Sequence, residues 1–234
     1  MNTTRTILLW DLPTRLFHWG LALLMLAAIG TGLAGGAYIN AHGKLGILIL
    51  GLVAFRLAWG VLGSTYARFS TFIKGPSSIA SYLKGQWQGV GHNPLGALSV
   101  LGLLGLITLQ AVSGLFTNDD IAFTGPLYNL VSVATSKTLT TLHRLNVWAL
   151  GGLITLHIAA ILFYRIAKKE DLVTPMLTGK KALPTNHPAI SAQGGGWIAL
   201  ILALAFAAAS IWAASGGFLP PPPPPPAQEQ SPGW

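Results

Sequence analysis

Along this chain apolar residues come in long blocks rather than in alternation. Five blocks approach the length of about 20 residues that a membrane helix needs: residues 16–35, 45–63, 94–116, 142–166 and 197–218. Blocks of this length predict transmembrane helices and an all-α fold, since no water in the bilayer core can satisfy an open backbone. The first block is too long for the apolar part of a cleavable signal and is followed by further blocks, so it is expected to stay as a helix. Asn93-Pro94 reads as a helix start, a capping side chain followed by proline at the first helical position. Between the second and third blocks, residues 64–92 include TYARFSTFIKGPSSIASYLKG, expected to lie partly in the headgroup layer as an amphipathic piece. The loop over 117–140 is more polar and is expected to turn at Gly125-Pro126.

Composition sharpens this picture. Of 234 residues 52% are hydrophobic and 9% charged, against about 25% charged in soluble domains. The formal charge is +8, and its distribution follows the predicted topology rather than a nucleic-acid surface. With the N-terminus inside, the inner segments carry Arg5, Arg15, Arg68, Lys74, Lys84, Arg165, Lys168, Lys169, Lys180 and Lys181, most of the 14 basic residues. Lys44, Lys137 and Arg144 fall outside. The asymmetry is that of a cytoplasmic N-terminus, and an odd number of spans then puts the C-terminus outside. Cysteine is absent, which excludes disulfides, thiolate metal sites and covalently attached c-type haem.

Histidines sit where oil is expected. His143 and His157, fourteen residues apart in the fourth block, project from nearly one side of a helix, about 21 Å apart along its axis. His18 falls in the inner half of the first helix, level with His157. His42 just precedes the second block on the outer side, level with His143. Topology therefore sorts the four into an inner pair, His18 with His157, and an outer pair, His42 with His143. Ionisable groups inside a membrane are expensive and usually functional. A single imidazole serves equally as a neutral hydrogen bond between helices. Two depth-matched pairs suit axial ligation of two haem irons in a four-helix bundle. Zinc fits less well, because it wants about four ligands and neither cysteine nor carboxylate lies at these depths. His92 and His187, in loops beside asparagine, read as solvated bystanders.

Haem propionates call for basic partners. Arg15 precedes His18 by three residues, Arg56 lies in the second block at the depth of the inner pair, and Arg144 and Lys44 adjoin the outer pair. Arg15, Lys44 and Arg144 serve equally as interfacial anchors. Arg56, with no acid near it in its block, needs an anionic partner. Gly20, Gly46, Gly51, Gly114, Gly151 and Gly152 allow close approach of a helix or of a flat ring.

The segments WDLPTRLFHW, HGKLGILILGLVAFRLAWGVLGSTYARF, GHNPLGALSVLGLLGLITLQAVSGLF followed by NDD, and LHRLNVWALGGLITLHIAAILFYRIAKKEDLVTPMLTGKK occur in that order over about residues 7–181. Together they resemble the bacterial cytochrome b561 family, which includes the b-type subunit of nickel-iron hydrogenases. The resemblance implies a four-helix domain over residues 1–181 holding two b-type haems, with ligand positions on His18, His42, His143 and His157. It also implies electron transfer between the membrane quinone pool and a redox partner, commonly a c-type cytochrome. Asp119 and Asp120 are then candidate proton acceptors for a quinol, or a solvated turn. Residues 182–196 read as a linker, 197–218 as an appended fifth helix, and 219–234 as a proline-rich tail. Its prolines 220–226 should form a polyproline II rod, either a spacer or docking tail or an end without a role.

The resulting expectation is a membrane-embedded, electron-transferring di-haem b-type cytochrome that oxidises quinol and passes electrons to a c-type cytochrome. Its first rival is the membrane subunit of a hydrogenase or other dehydrogenase, delivering electrons to quinone. A rival of another class is a haemless transporter or scaffold whose histidines line a metal path. A homodimer is left open; no nucleic-acid partner is expected.

Overall fold

The computed structural model describes residues 3–121 and 123–220. Its elements are β1 (Thr4–Leu8), α1 (Leu12–Ala34), α2 (Ile39–Leu62), the short α3 (Phe69–Phe72) and α4 (Pro76–Leu83), α5 (Pro94–Gly114), α6 (Val133–Ile166), α7 (Val173–Thr178), β2 (Lys180–Pro184) and α8 (Trp197–Ala214). Five of these helices, α1, α2, α5, α6 and α8, are long and apolar enough to cross a membrane.

Helix starts follow local chemistry. Asp11 caps α1 by accepting from the Thr14 N–H at 2.7 Å, and Pro13 occupies the first turn, where a missing N–H costs nothing. Asn93 caps α5 as its sequence predicts, its Oδ1 accepting from the Gly96 N–H at 2.8 Å. The fourth span departs from expectation. It begins at Val133, not near residue 142, because Ser132 caps it and Thr138, Thr140 and Thr141 turn their hydroxyls onto carbonyls four residues back. Hydropathy registers only the part of a helix that is apolar, so this polar extension was invisible to it. The run over residues 64–92 forms α3 and α4. Of the proline tract only Pro220 lies within the described residues.

Packing pairs α1 with α2, α2 with α5 and α5 with α6. Met25 and Ala28, Ile49 and Val53, Ile107 and Ala111, and Leu150 meet in one buried cluster drawn from four helices. A second cluster joins Phe17, Phe55, Trp59, Ala67 and Leu104 to Ala203 of α8. The fifth helix is therefore packed along α2 and contributes to the same core. Gly51 makes that approach possible, since a Cβ there would lie 2.5 Å from Ile211. Leu33, Trp148 and Ile198 face outward, as they can where the surrounding solvent is lipid.

The α5–α6 contact carries a polar clamp. Asn146, 5% exposed, donates through Nδ2 to the Leu106 carbonyl at 2.9 Å and to Gln110 Oε1 at 2.8 Å. Interhelical hydrogen bonds of this kind contribute about 1 kcal/mol in membrane proteins. Asn146→Leu is expected to lower the thermal midpoint of the detergent-solubilised protein modestly without changing its helix content, as read by circular dichroism.

The all-α expectation needs one correction. β1 and β2 pair antiparallel, Thr4 opposite Pro184 through Leu8 opposite Lys180. The pairing buries Ile7 and Leu183 with Leu9, Trp10 and Val90 in a small cluster beneath the helices. Gly179 makes the junction: its φ is +82°, and its carbonyl accepts from the N–H groups of Leu9 (2.7 Å) and Trp10 (3.1 Å). Left-handed backbone and a hypothetical Cβ 2.7 Å from the Trp10 carbonyl both require glycine there.

Candidate functional site

Polar side chains gather at the two ends of the bundle. At one end His42, in the first turn of α2, and His143, on α6, have ring centroids 6.0 Å apart and planes at 89°. The Nδ1–H of His42 donates to the Ala28 carbonyl at 2.8 Å. The Nδ1–H of His143 donates to the Gln110 carbonyl at 2.8 Å, with Ser113 Oγ 3.3 Å away. A neutral imidazole whose Nδ1 carries the proton keeps its lone pair on Nε2, the arrangement by which proteins orient metal-binding histidines.

Glycines shape this end. A Cβ at Gly32 would lie 2.9 Å from the His42 ring, and one at Gly114 would lie 3.0 Å from His143, while Gly46 has nothing within 4 Å of that position. The void beside them is a cavity of about 460 Å³ lined mainly by apolar groups, among them Met25, Ile29 and Leu150, with Arg144 also on its wall. Its size falls in the range of about 300–1,000 Å³ usual for small-molecule and cofactor sites. Lys44 and Arg144 are exposed.

At the other end His18 on α1 and His157 on α6 are half-buried and within Coulombic reach of one another. Arg56 is 3% exposed, its guanidinium 4.7 Å from the Phe69 ring centre. Its own helix carries no acid near it; the fold brings Asp11 within Coulombic reach, and Asp11 also accepts from Trp59 Nε1 at 3.0 Å. Among the described residues, several buried atoms at this end find no hydrogen-bond partner: Thr14 Oγ1, His18 Nδ1, Arg56 Nη1, Ser64 Oγ and the Nε atoms of Arg15 and Arg68. Leaving such groups unpaired costs about 1–3 kcal/mol each, so this end has the chemistry of a site that an anionic, polar-edged group completes. Arg15 also donates through Nη1 to the Leu177 carbonyl at 2.5 Å, and Trp19 Nε1 to the Met176 carbonyl at 3.2 Å.

Two bystanders prove otherwise. His92 is wedged between Trp10 and Phe72, ring centroids 4.7 and 4.6 Å away. Burial, then the charges of Arg56, His157 and His18, push its pKa down to about 3, so it is neutral at physiological pH. Sequence reasoning missed it because burial comes from residues far away in the chain. His187 holds the turn after β2: its Nδ1 accepts from the Ala189 N–H at 3.1 Å and its carbonyl accepts from Arg5 at 2.6 Å. Asp119 acts as a loop tie, accepting from the N–H groups of Ile121 and Phe123 at 2.9 Å each.

Among the described residues no three or more histidines, cysteines or carboxylates converge. At the other end of the bundle from His18, His42 and His143 offer two imidazoles, too few for a tetrahedral zinc centre.

The family model described as prokaryotic cytochrome b561 matches residues 9–179. The chain belongs to the prokaryotic cytochrome b561 family. Its curated relatives include the probable Ni/Fe-hydrogenase 1 B-type cytochrome subunit of Escherichia coli K12, 22% identical over 216 residues that cover 74% of this chain and 89% of that one. Another is the probable Ni/Fe-hydrogenase B-type cytochrome subunit of Rhodobacter capsulatus, 23% identical over 221 residues, 78% of this chain and 84% of that one. No solved structure matches. As a cytochrome b561 with five apolar helices the protein is a multi-pass membrane protein of electron transport, and membership of a b-type cytochrome family implies haem b. The residues present fit that group: paired imidazoles with fixed tautomers and a glycine-lined cavity at one end, orphaned basic and polar atoms at the other.

Proposed function

We propose that this cytochrome b561 is a di-haem electron carrier of the bacterial inner membrane, N-terminus cytoplasmic and C-terminus periplasmic, exchanging electrons between the quinone pool and a redox partner. The observation that carries the reading is the His42–His143 pair, 6.0 Å apart with both Nδ1–H groups tied to backbone carbonyls. His18 and His157 form the second ligand pair. When bound, haem supplies reversible one-electron chemistry.

The chain's own residues bind and orient. The Ala28 and Gln110 carbonyls fix the outer imidazoles, apolar side chains exclude water from the cavity, and Arg56, Arg15 and Arg144 are the cationic partners for propionates. Residues 1–181 make up the haem-binding domain, 182–196 a linker, 197–218 an additional helix and 219–234 a proline-rich tail. Segments on the His18 side carry most of the basic residues, which supports the cytoplasmic assignment of that end. The relatives' names favour a hydrogenase or other dehydrogenase as the partner, with electrons flowing into quinone; quinol oxidation with a c-type cytochrome acceptor is the other direction of the same chemistry.

Reduced-minus-oxidised difference spectroscopy on the purified protein, with haem counted per chain, tests the proposal. A b-type α-band and about two haems per chain are expected, reducible by added quinol or by the partner. A protein that binds no haem when supplied with it overturns the reading.

A further inference from the structure

The polar first turns of α6 brace a loop that walls the His42–His143 cavity. Ser136 Oγ donates to the Phe116 carbonyl at 2.7 Å, and Thr140 Oγ1 accepts from the Asn118 N–H at 3.3 Å. Beyond these anchors the chain folds back on itself. Asn118 pairs antiparallel with Thr124, the Asp119 N–H donates to the Phe123 carbonyl at 3.1 Å, and the Phe123 N–H donates to Asp119 Oδ1 at 2.9 Å. These bonds fix the backbone of Phe123, whose half-buried side chain lies on the cavity wall with Thr117 and Asn118. Gly43, the residue after His42, receives the phenyl ring: a Cβ there would stand 2.9 Å from Phe123 Cζ. Gly43 lies within α2, so the glycine supplies room rather than an unusual backbone conformation. Gly32 makes space for the His42 ring and Gly43 for Phe123; the phenyl group is fitted to this cavity, one residue along α2 from the imidazole.

We infer that Phe123, seated on Gly43, closes the loop side of the His42–His143 cavity to water and thereby raises the reduction potential of the haem bound at this end. Oxidised haem iron carries one more positive charge than reduced iron, and water stabilises the more highly charged form. A wall that excludes water therefore favours reduction. A phenyl ring suits that task, being large, apolar and without a polar handle that would hold a water. The inference rests on the electron-carrier reading. Phe123 acts here by shielding; no electron or proton step is assigned to it.

The test is a spectroscopic redox titration of the detergent-solubilised, haem-loaded full chain, followed at the b-type α-band. The midpoint that is missing from His143→Ala belongs to this end. In Phe123→Ala it is expected to fall by about 59 mV, a ten-fold shift of the one-electron equilibrium toward the oxidised form, while the other midpoint stays in place. Phe123→Leu keeps an apolar wall and should remain near the wild type. Gly43→Ala retains the phenyl group but takes its place on α2, so it should lower the same midpoint. Adding Phe123→Ala to it should lower that midpoint no further than Phe123→Ala alone, because the two changes act through one contact. An unchanged midpoint in Phe123→Ala overturns the inference, as does a fall in Phe123→Leu equal to that in the alanine variant, or a fall confined to the other midpoint. Where Phe123→Ala fails to fold or to hold haem, Gly43→Ala decides alone, and no fall there overturns the inference. In all these cases an intact wild-type haem spectrum shows that the electron-carrier reading has survived; a wild type that binds no haem overturns both.

Discussion

Purified His143→Ala protein is expected to carry about half the haem of the wild type, and His157→Ala about half as well, from the opposite end. The sharper result is in the double variants. His42 and His143 face one another across 6.0 Å, so removing both deletes one site, and the double variant should lose no more haem than either single. His143→Ala combined with His157→Ala touches both sites and should lose nearly all of it. Groups that act as a unit are non-additive in this way, and distant ones add. Haem per chain, read from the pyridine haemochromogen, settles the matter. If the His42→Ala/His143→Ala protein loses markedly more than either single variant, the two rings do not share a ligand. At the His42–His143 end Gly32 and Gly114 each lie so close to an imidazole that a side chain there would crowd the ring.

The largest effect on stability is expected from Trp59→Ala. Trp59 is 1% exposed, stacks on Phe55 with centroids 5.9 Å apart, and donates through Nε1 to Asp11 Oδ2 at 3.0 Å. It joins α2 to the cap of α1 and to the segment leading into α8, where the Gly195 backbone lies against its ring. Truncations of buried tryptophan cost about 3–5 kcal/mol, and this one removes a cap contact as well. Chemical denaturation in detergent, followed by circular dichroism, should show it. Trp59→Phe separates the components: it keeps most of the packing and loses only the hydrogen bond, so its cost should be about 1 kcal/mol. Equal losses in the two variants would mean that the ring's volume carries little of the effect.

Much of this architecture was legible in the sequence because a bilayer imposes a single length scale. The five apolar blocks became five helices, and depth-matching alone placed His42 opposite His143. Asn93 capped its helix as its chemistry dictates. What stayed hidden depended on residues far apart in the chain. No local pattern reveals that Thr4–Leu8 pairs with Lys180–Pro184, since five-residue strands carry little periodicity and the partner lies beyond seven helices, α1 to α7. His92 looked like a loop residue because its burial is supplied by Trp10 and Phe72. The polar first turns of α6 were missed for a different reason: threonine-rich sequence is helical only when a cap and a neighbour hold it, here Ser132 and the bond from Ser136 Oγ to the Phe116 carbonyl.

The strand pairing bears on how the molecule is made. During synthesis Thr4–Leu8 leaves the ribosome first, yet its mate follows α6, so the latch cannot fasten until α1, α2, α5 and α6 have all been translated. Fastening of the two chain segments at the His18 end is therefore among the last folding steps open to the polypeptide.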